Sequence, residues 1–108
     1  MVPSERLLSI LAKPFSYSTL HEIEEALAVL PPLSPNQRVA AYVARRTCTQ
    51  LCGLLENIEP TVERHKAIEK HVSDPLESVV RSIANFRDVS FEQLALLIQA
   101  SEAARILS

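Results

Sequence analysis

Scarcity defines this sequence before any motif does. It holds one glycine in 108 residues, and the tight turns that close β-hairpins need glycine at positive φ, so a meander of strands is disfavoured. Only 5% of the residues are aromatic and none is tryptophan. The core must therefore be built from Leu, Ile, Val and Ala, which suits helix packing better than a β-sandwich. Two cysteines are too few for a secreted disulfide scaffold. Cys48 and Cys52 stand four apart in a helical pattern, where a strain-free disulfide is hard to close. Charge is almost balanced, with 11 basic and 13 acidic side chains and a net charge of −2. No overall field is left to hold a polyanion, so non-specific nucleic-acid binding is disfavoured. No apolar run approaches the roughly 20 residues that span a bilayer. The expectation is a reducing, intracellular compartment, the cytoplasm in the first instance. Residues 1–21 carry Arg6, Lys13, five serines or threonines and a single acid, Glu5, a presequence-like composition that keeps an organelle as the alternative.

Proline, in contrast, is plentiful, and its seven copies fall between periodic segments, where proline opens or stops helices. The spacing predicts an all-α chain of about six helices, or three helical hairpins, forming one domain over residues 1–108. Pro3 opens the first helix, carried by Leu7, Leu8, Ile10 and Leu11 and stopped by Pro14. Thr19, with Glu22 three residues on, reads as the capping box of a second helix along Leu20, Ile23, Leu27 and Leu30. Pro31 and Pro32 end it. Ser34, Pro35 and Gln37 give the third helix its start, and it should run to about Ile58. Val39, Val43, Leu51, Leu54, Leu55 and Ile58 flank a row of small residues, Ala40, Ala44, Cys48 and Cys52. Arg38, Arg45, Thr49 and Glu56 trace its polar stripe, so this helix is expected at the centre of a compact bundle. Gly53 marks a place where it could kink or end early.

Pro60 should begin a thin, charged fourth helix with Val62, Ile68 and Val72 as its large apolar residues. Asp74, Pro75 and Glu77 read as a fresh start, with Leu76, Val79, Val80 and Ile83 following the helical period. Ser90 and Gln93 form a last capping box, with Val89 stapled to Leu94 and a buried face of Phe91, Leu94, Leu97 and Ile98. Setting the first hairpin on the third pairs Glu5 with Glu77, Leu7 with Val79, Leu8 with Val80 and Leu11 with Ile83. The alternative architecture is therefore a short, solenoid-like run of α-hairpin repeats. The positions of Ser18, Leu20, Ala26 and Leu27 resemble the serine and Leu, Ala-Leu spacing of helical-hairpin repeats in organellar RNA-binding proteins. That resemblance covers only these short stretches and implies an RNA-associated helical repeat.

Chemistry-bearing clusters are sparse. Cys48 and Cys52 with His65 and His71 would be the material for a zinc site or a Cys/His nucleophile, but the spacing is not that of a zinc finger. Cysteines on an apolar face act as small hydrophobes. Glu22, Glu24 and Glu25 stand in the first turns of a helix, where acids interact well with the dipole. Arg64, His65, Lys66, Lys70 and His71 form a basic face without aromatics to stack bases, so it reads as a solvated face. Gly53, alone, makes no phosphate loop. No cofactor, metal or catalytic group is expected. What remains is a set of apolar and basic residues in unusual places: Phe15, Tyr17, Leu33, Phe86 and Val89 at loops and helix ends, and the adjacent Arg45 and Arg46. If exposed together, they mark a partner site; if buried, the apolar ones plug the ends of the bundle. The expected function is a non-catalytic protein–protein interaction module: a small adaptor, a secretion chaperone or effector, or an assembly subunit. An RNA-associated helical repeat or ribonucleoprotein subunit is the first alternative, and a Cys/His metal protein or enzyme the second.

Overall fold

A computed structural model describes residues 3–13, 17–29, 34–57 and 62–107. Among these, the chain forms helices α1 (Pro3–Leu11), α2 (Tyr17–Ala28), α3 (Pro35–Asn57), α4 (Val62–Ile68), α5 (Asp74–Ala84) and α6 (Phe91–Leu107). The expected all-α bundle is present, and α3 is its longest element. Pro60 and Ile58 lie outside the described residues.

Local chemistry explains the clearest starts. Ser34 Oγ accepts from the Gln37 amide at 3.2 Å while Gln37 Oε1 accepts from the Ser34 amide at 3.0 Å. Ser90 and Gln93 repeat this reciprocal bond at the start of α6, at 3.1 Å each way. Val89 is buried behind that cap and Leu94 packs on the core, as a hydrophobic staple requires.

Three expectations change. Helix α2 begins at Tyr17, not Thr19; Thr19 is buried with Leu20, Ile23, Ala26 and Leu27, and inclusion in the helix places its side chain on that apolar face. The Asp74-Pro75 pair does not start a separate helix either. Residues Glu69–Ser73 form a π-helical turn that joins α4 to α5 without a break, so six helical segments make five separate rods. The cause lies in Pro75: it has no N–H for the ladder, and its ring crowds the carbonyl four residues back. A locally widened turn absorbs both defects. Val72, within that turn, is fully buried and keeps the joined helix against the bundle. Finally, the buried face of α6 is Leu97, Ala100 and Ala104, with Leu94 and Ala103 half-buried, whereas Phe91 and Ile98 face outward.

Packing centres on α3, whose Ala40, Ala44, Cys48, Leu51 and Leu54 are buried. Helix α3 lies between α2 and α6 and also touches α5; α1 closes the bundle against α5 and α2. Contacts between helices this far apart in sequence distinguish a bundle from a solenoid, where each repeat meets only its neighbours. Gly53 does not end α3, which continues to Asn57. On α5, Leu76, Val79, Val80 and Ile83 are all buried, each contributing about 1.5–3 kcal/mol relative to exposure.

Candidate interaction surface

The loop between α5 and α6 is held from both sides by hydrogen bonds. Helix α5 ends with the Arg87 amide bonded to the Ser82 carbonyl at 2.9 Å and the Phe86 amide bonded to the Ile83 carbonyl at 3.1 Å. This is the Schellman arrangement, whose left-handed residue is ordinarily glycine. Here Phe86 fills it, with φ of 58°, and its ring is 76% exposed. The start of α3 then grips the loop. Ser34 donates to the Asp88 carboxylate at 2.7 Å, Gln37 Nε2 to the Arg87 carbonyl at 2.7 Å, and Asn36 Nδ2 to the Val89 carbonyl at 3.1 Å. Val89 is the plug beneath, 1% exposed, so it anchors the loop and does not itself reach a partner; that candidate is corrected. Phe91, the first residue of α6, is 79% exposed.

Two further bonds fix how α6 is turned. Gln50 on α3 accepts from Ser101 at 2.6 Å, and Gln93 reaches Ser82 on α5 at 2.9 Å. Helix α6 thus lies between α3 and α5 and runs parallel to α3. The helical period then places Phe91, Ile98 and Glu102 on the flank beside the outer stripe of α3. That stripe consists of Arg38, Val39, Tyr42, Arg45, Arg46 and Thr49, all exposed. Tyr42 is 62% exposed and stands between arginines. Next to it, Glu24, Tyr42, Arg45, Arg46, Thr49 and Gln50 line an open cleft of about 300 Å³ between α2 and α3. Thr49 Oγ1 donates to Glu24 Oε1 across it at 3.3 Å. The carboxyl of Glu102 is held below its usual range, chiefly by its hydrogen bond to Arg105 and by the charge of Arg105, with a smaller contribution from Arg46.

Of the residues singled out in the sequence, Arg45 and Arg46 thus belong to one exposed face, and Phe86 stands on the pinned loop. Phe15 and Leu33 lie outside the described residues, as does the Tyr17 side chain. Tyr42 escaped the sequence reading, and Val39, Phe91 and Ile98 entered it as apolar helix positions, whereas all three are exposed. Tyr42 carried a usable signal, since it sits midway between Arg38 and Arg45 in the polar stripe.

The cysteines belong to the core. Cys48 is buried, and desolvation, with smaller effects of Cys52 and Glu24, pushes its thiol far above its ordinary value. Among the described residues, no three or more His, Cys, Asp or Glu side chains gather as metal ligands, and no helix is long and apolar enough to cross a membrane. Comparison with known proteins returns no match: no family model, no curated protein and no solved structure is significantly similar to this chain.

Proposed function

We propose that this chain is a non-catalytic protein–protein interaction module, an adaptor, chaperone or assembly subunit, that uses the α5–α6 loop and the adjoining face of α3 as its contact surface. The observation carrying this reading is Phe86. A bulky aromatic in the left-handed region costs about 1–2 kcal/mol that glycine would avoid, yet its ring contributes little to the core at 76% exposure. Strain held at an exposed aromatic, on a loop fixed by three side-chain hydrogen bonds, is accounted for by a contact made outside the chain. Phe91 nearby adds a second large anchor of the kind that dominates interface energetics. The thiol of Cys48, held neutral by burial, is poorly suited to nucleophilic or metal-binding work, which disfavours the Cys/His enzyme reading. Cys48 and Cys52, not joined in a disulfide, fit a reducing compartment.

The test is affinity purification of the tagged protein from cells that produce it, beside a Phe86→Ala, Phe91→Ala double variant. The reading expects a protein partner that co-purifies with the wild type and is lost with the variant while the thermal midpoint stays within a few degrees. Equal recovery by both, or a partner that is nucleic acid, contradicts it.

A further inference from the structure

From the charge pattern along α3 we infer that its outer face receives an acidic amphipathic helix of the partner protein. This names the partner chemistry of the surface proposed above and rests on that reading. Arg38, Arg45 and Arg46 are exposed and none makes an ion pair among the described residues. Arg38 and Arg45 lie seven residues apart, about 10.5 Å along the axis. Carboxylates seven residues apart on a partner helix present the same spacing, and each can accept a forked guanidinium. Tyr42 lies one turn from both arginines, so an apolar side chain on the intervening turn of the partner would meet its ring. The cleft beside it, about 300 Å³, is sized for one large side chain. Val39 and Ile98, exposed to 48% and 47%, and Phe91 extend the apolar part of the surface toward the loop.

The surrounding charges argue for a peptide over RNA. Glu24 lines the cleft, and Glu102 on α6 lies near enough to feel the charge of Arg46. A polyphosphate places a charge at every nucleotide and would run from the arginines onto these carboxylates. An amphipathic helix can set its acids over the arginines alone, and like-charge contacts of this sort are a source of specificity.

The experiment is amide NMR titration of the intact, isotope-labelled protein with three probes. They are a synthetic amphipathic helix with glutamates seven residues apart and leucines on the intervening turn, its lysine-for-glutamate counterpart, and oligouridylate. The glutamate helix should shift Arg38, Tyr42, Arg45, Arg46 and Thr49, and bind about tenfold more weakly to an Arg38→Glu, Arg45→Glu variant. An unchanged spectrum outside that face shows that the variant is folded. Shifts scattered over the molecule, no shifts, or equal binding of the lysine helix overturn the inference, and tighter binding of oligouridylate to the same residues replaces it with an RNA surface. A partner that co-purifies through Phe86 and Phe91 but is indifferent to the Arg38 and Arg45 variant removes the α3 surface while leaving the interaction module standing.

Discussion

Single residues show where this chain departs from what folding alone would select. Phe86 occupies the position that closes α5, with φ of 58°. Replacing it with glycine relieves the left-handed strain, partly offset by the greater freedom of glycine in the unfolded chain. Phe86→Gly should therefore stabilise the fold by about 0.5–1 kcal/mol in chemical denaturation and yet weaken partner binding. A substitution that raises stability and lowers binding identifies a residue kept for contact, whereas loss of stability would show that the ring supports the fold. Cys48 gives a second expectation. Burial raises its folded-state pKa, while in the unfolded chain the thiol ionises near 8.5. Below that pH both states hold the proton and the contribution to stability is complete. Above it only the unfolded chain releases the proton, so stability falls with rising pH, by up to about 1.4 kcal/mol per unit. The alkaline slope should flatten in Cys48→Ala, measured as denaturation midpoints between about pH 8 and 10; an identical slope would show that Cys48 is not its source.

Among the elements, α3 both organises the core and holds the loop. Gln37 Oε1 caps α3 and its Nε2 bonds the Arg87 carbonyl, so one side chain joins helix start to loop. Gln37→Ala should cost about 1–3 kcal/mol and speed hydrogen exchange at residues 86–89, and unchanged exchange there would mean that the loop is held by other contacts. A Cβ added at Gly53 meets nothing within 4 Å, so Gly53→Ala should stabilise α3 by up to about 1 kcal/mol, read as a higher denaturation midpoint. Destabilisation would show that the helix is not regular there.

What the sequence made legible at this scale follows the range of the forces involved. The Ser34–Gln37 and Ser90–Gln93 boxes are contained within four residues and read correctly. The Asp74-Pro75-Leu76-Glu77 string has the same appearance whether a helix starts or a continuing one widens, and burial of Val72 decides between them only once the bundle is assembled. Helix α6 is apolar on nearly every side, so its periodicity does not say which residues meet α3. Leu97 and the small Ala100 and Ala104 take the inner face, leaving Phe91 and Ile98 outside. The surface shows the same division. Arg45, Arg46 and Phe86 were visible as residues, but their neighbourhood with Tyr42 and Phe91 depends on how α3 and α6 lie side by side.

The whole molecule combines a compact core with an uneven surface. Its radius of gyration is 13.0 Å, the value expected for a close-packed globule of this length. It is also flat, 38 × 29 × 17 Å, and α3 is flanked by α2 and α6. A net charge of −2 conceals three exposed arginines of α3 that make no ion pair among the described residues, with the Glu24 carboxylate beside them. The most direct test of this arrangement is site-specific photo-crosslinking in cells that produce the protein, with a benzophenone side chain placed in turn at Phe91, at Tyr42 and, on a different helix, at Ser9 of α1. The account expects one and the same protein to be captured from Phe91 and Tyr42 and not from Ser9. Equal capture from all three positions, or adducts to RNA instead of protein, would contradict it.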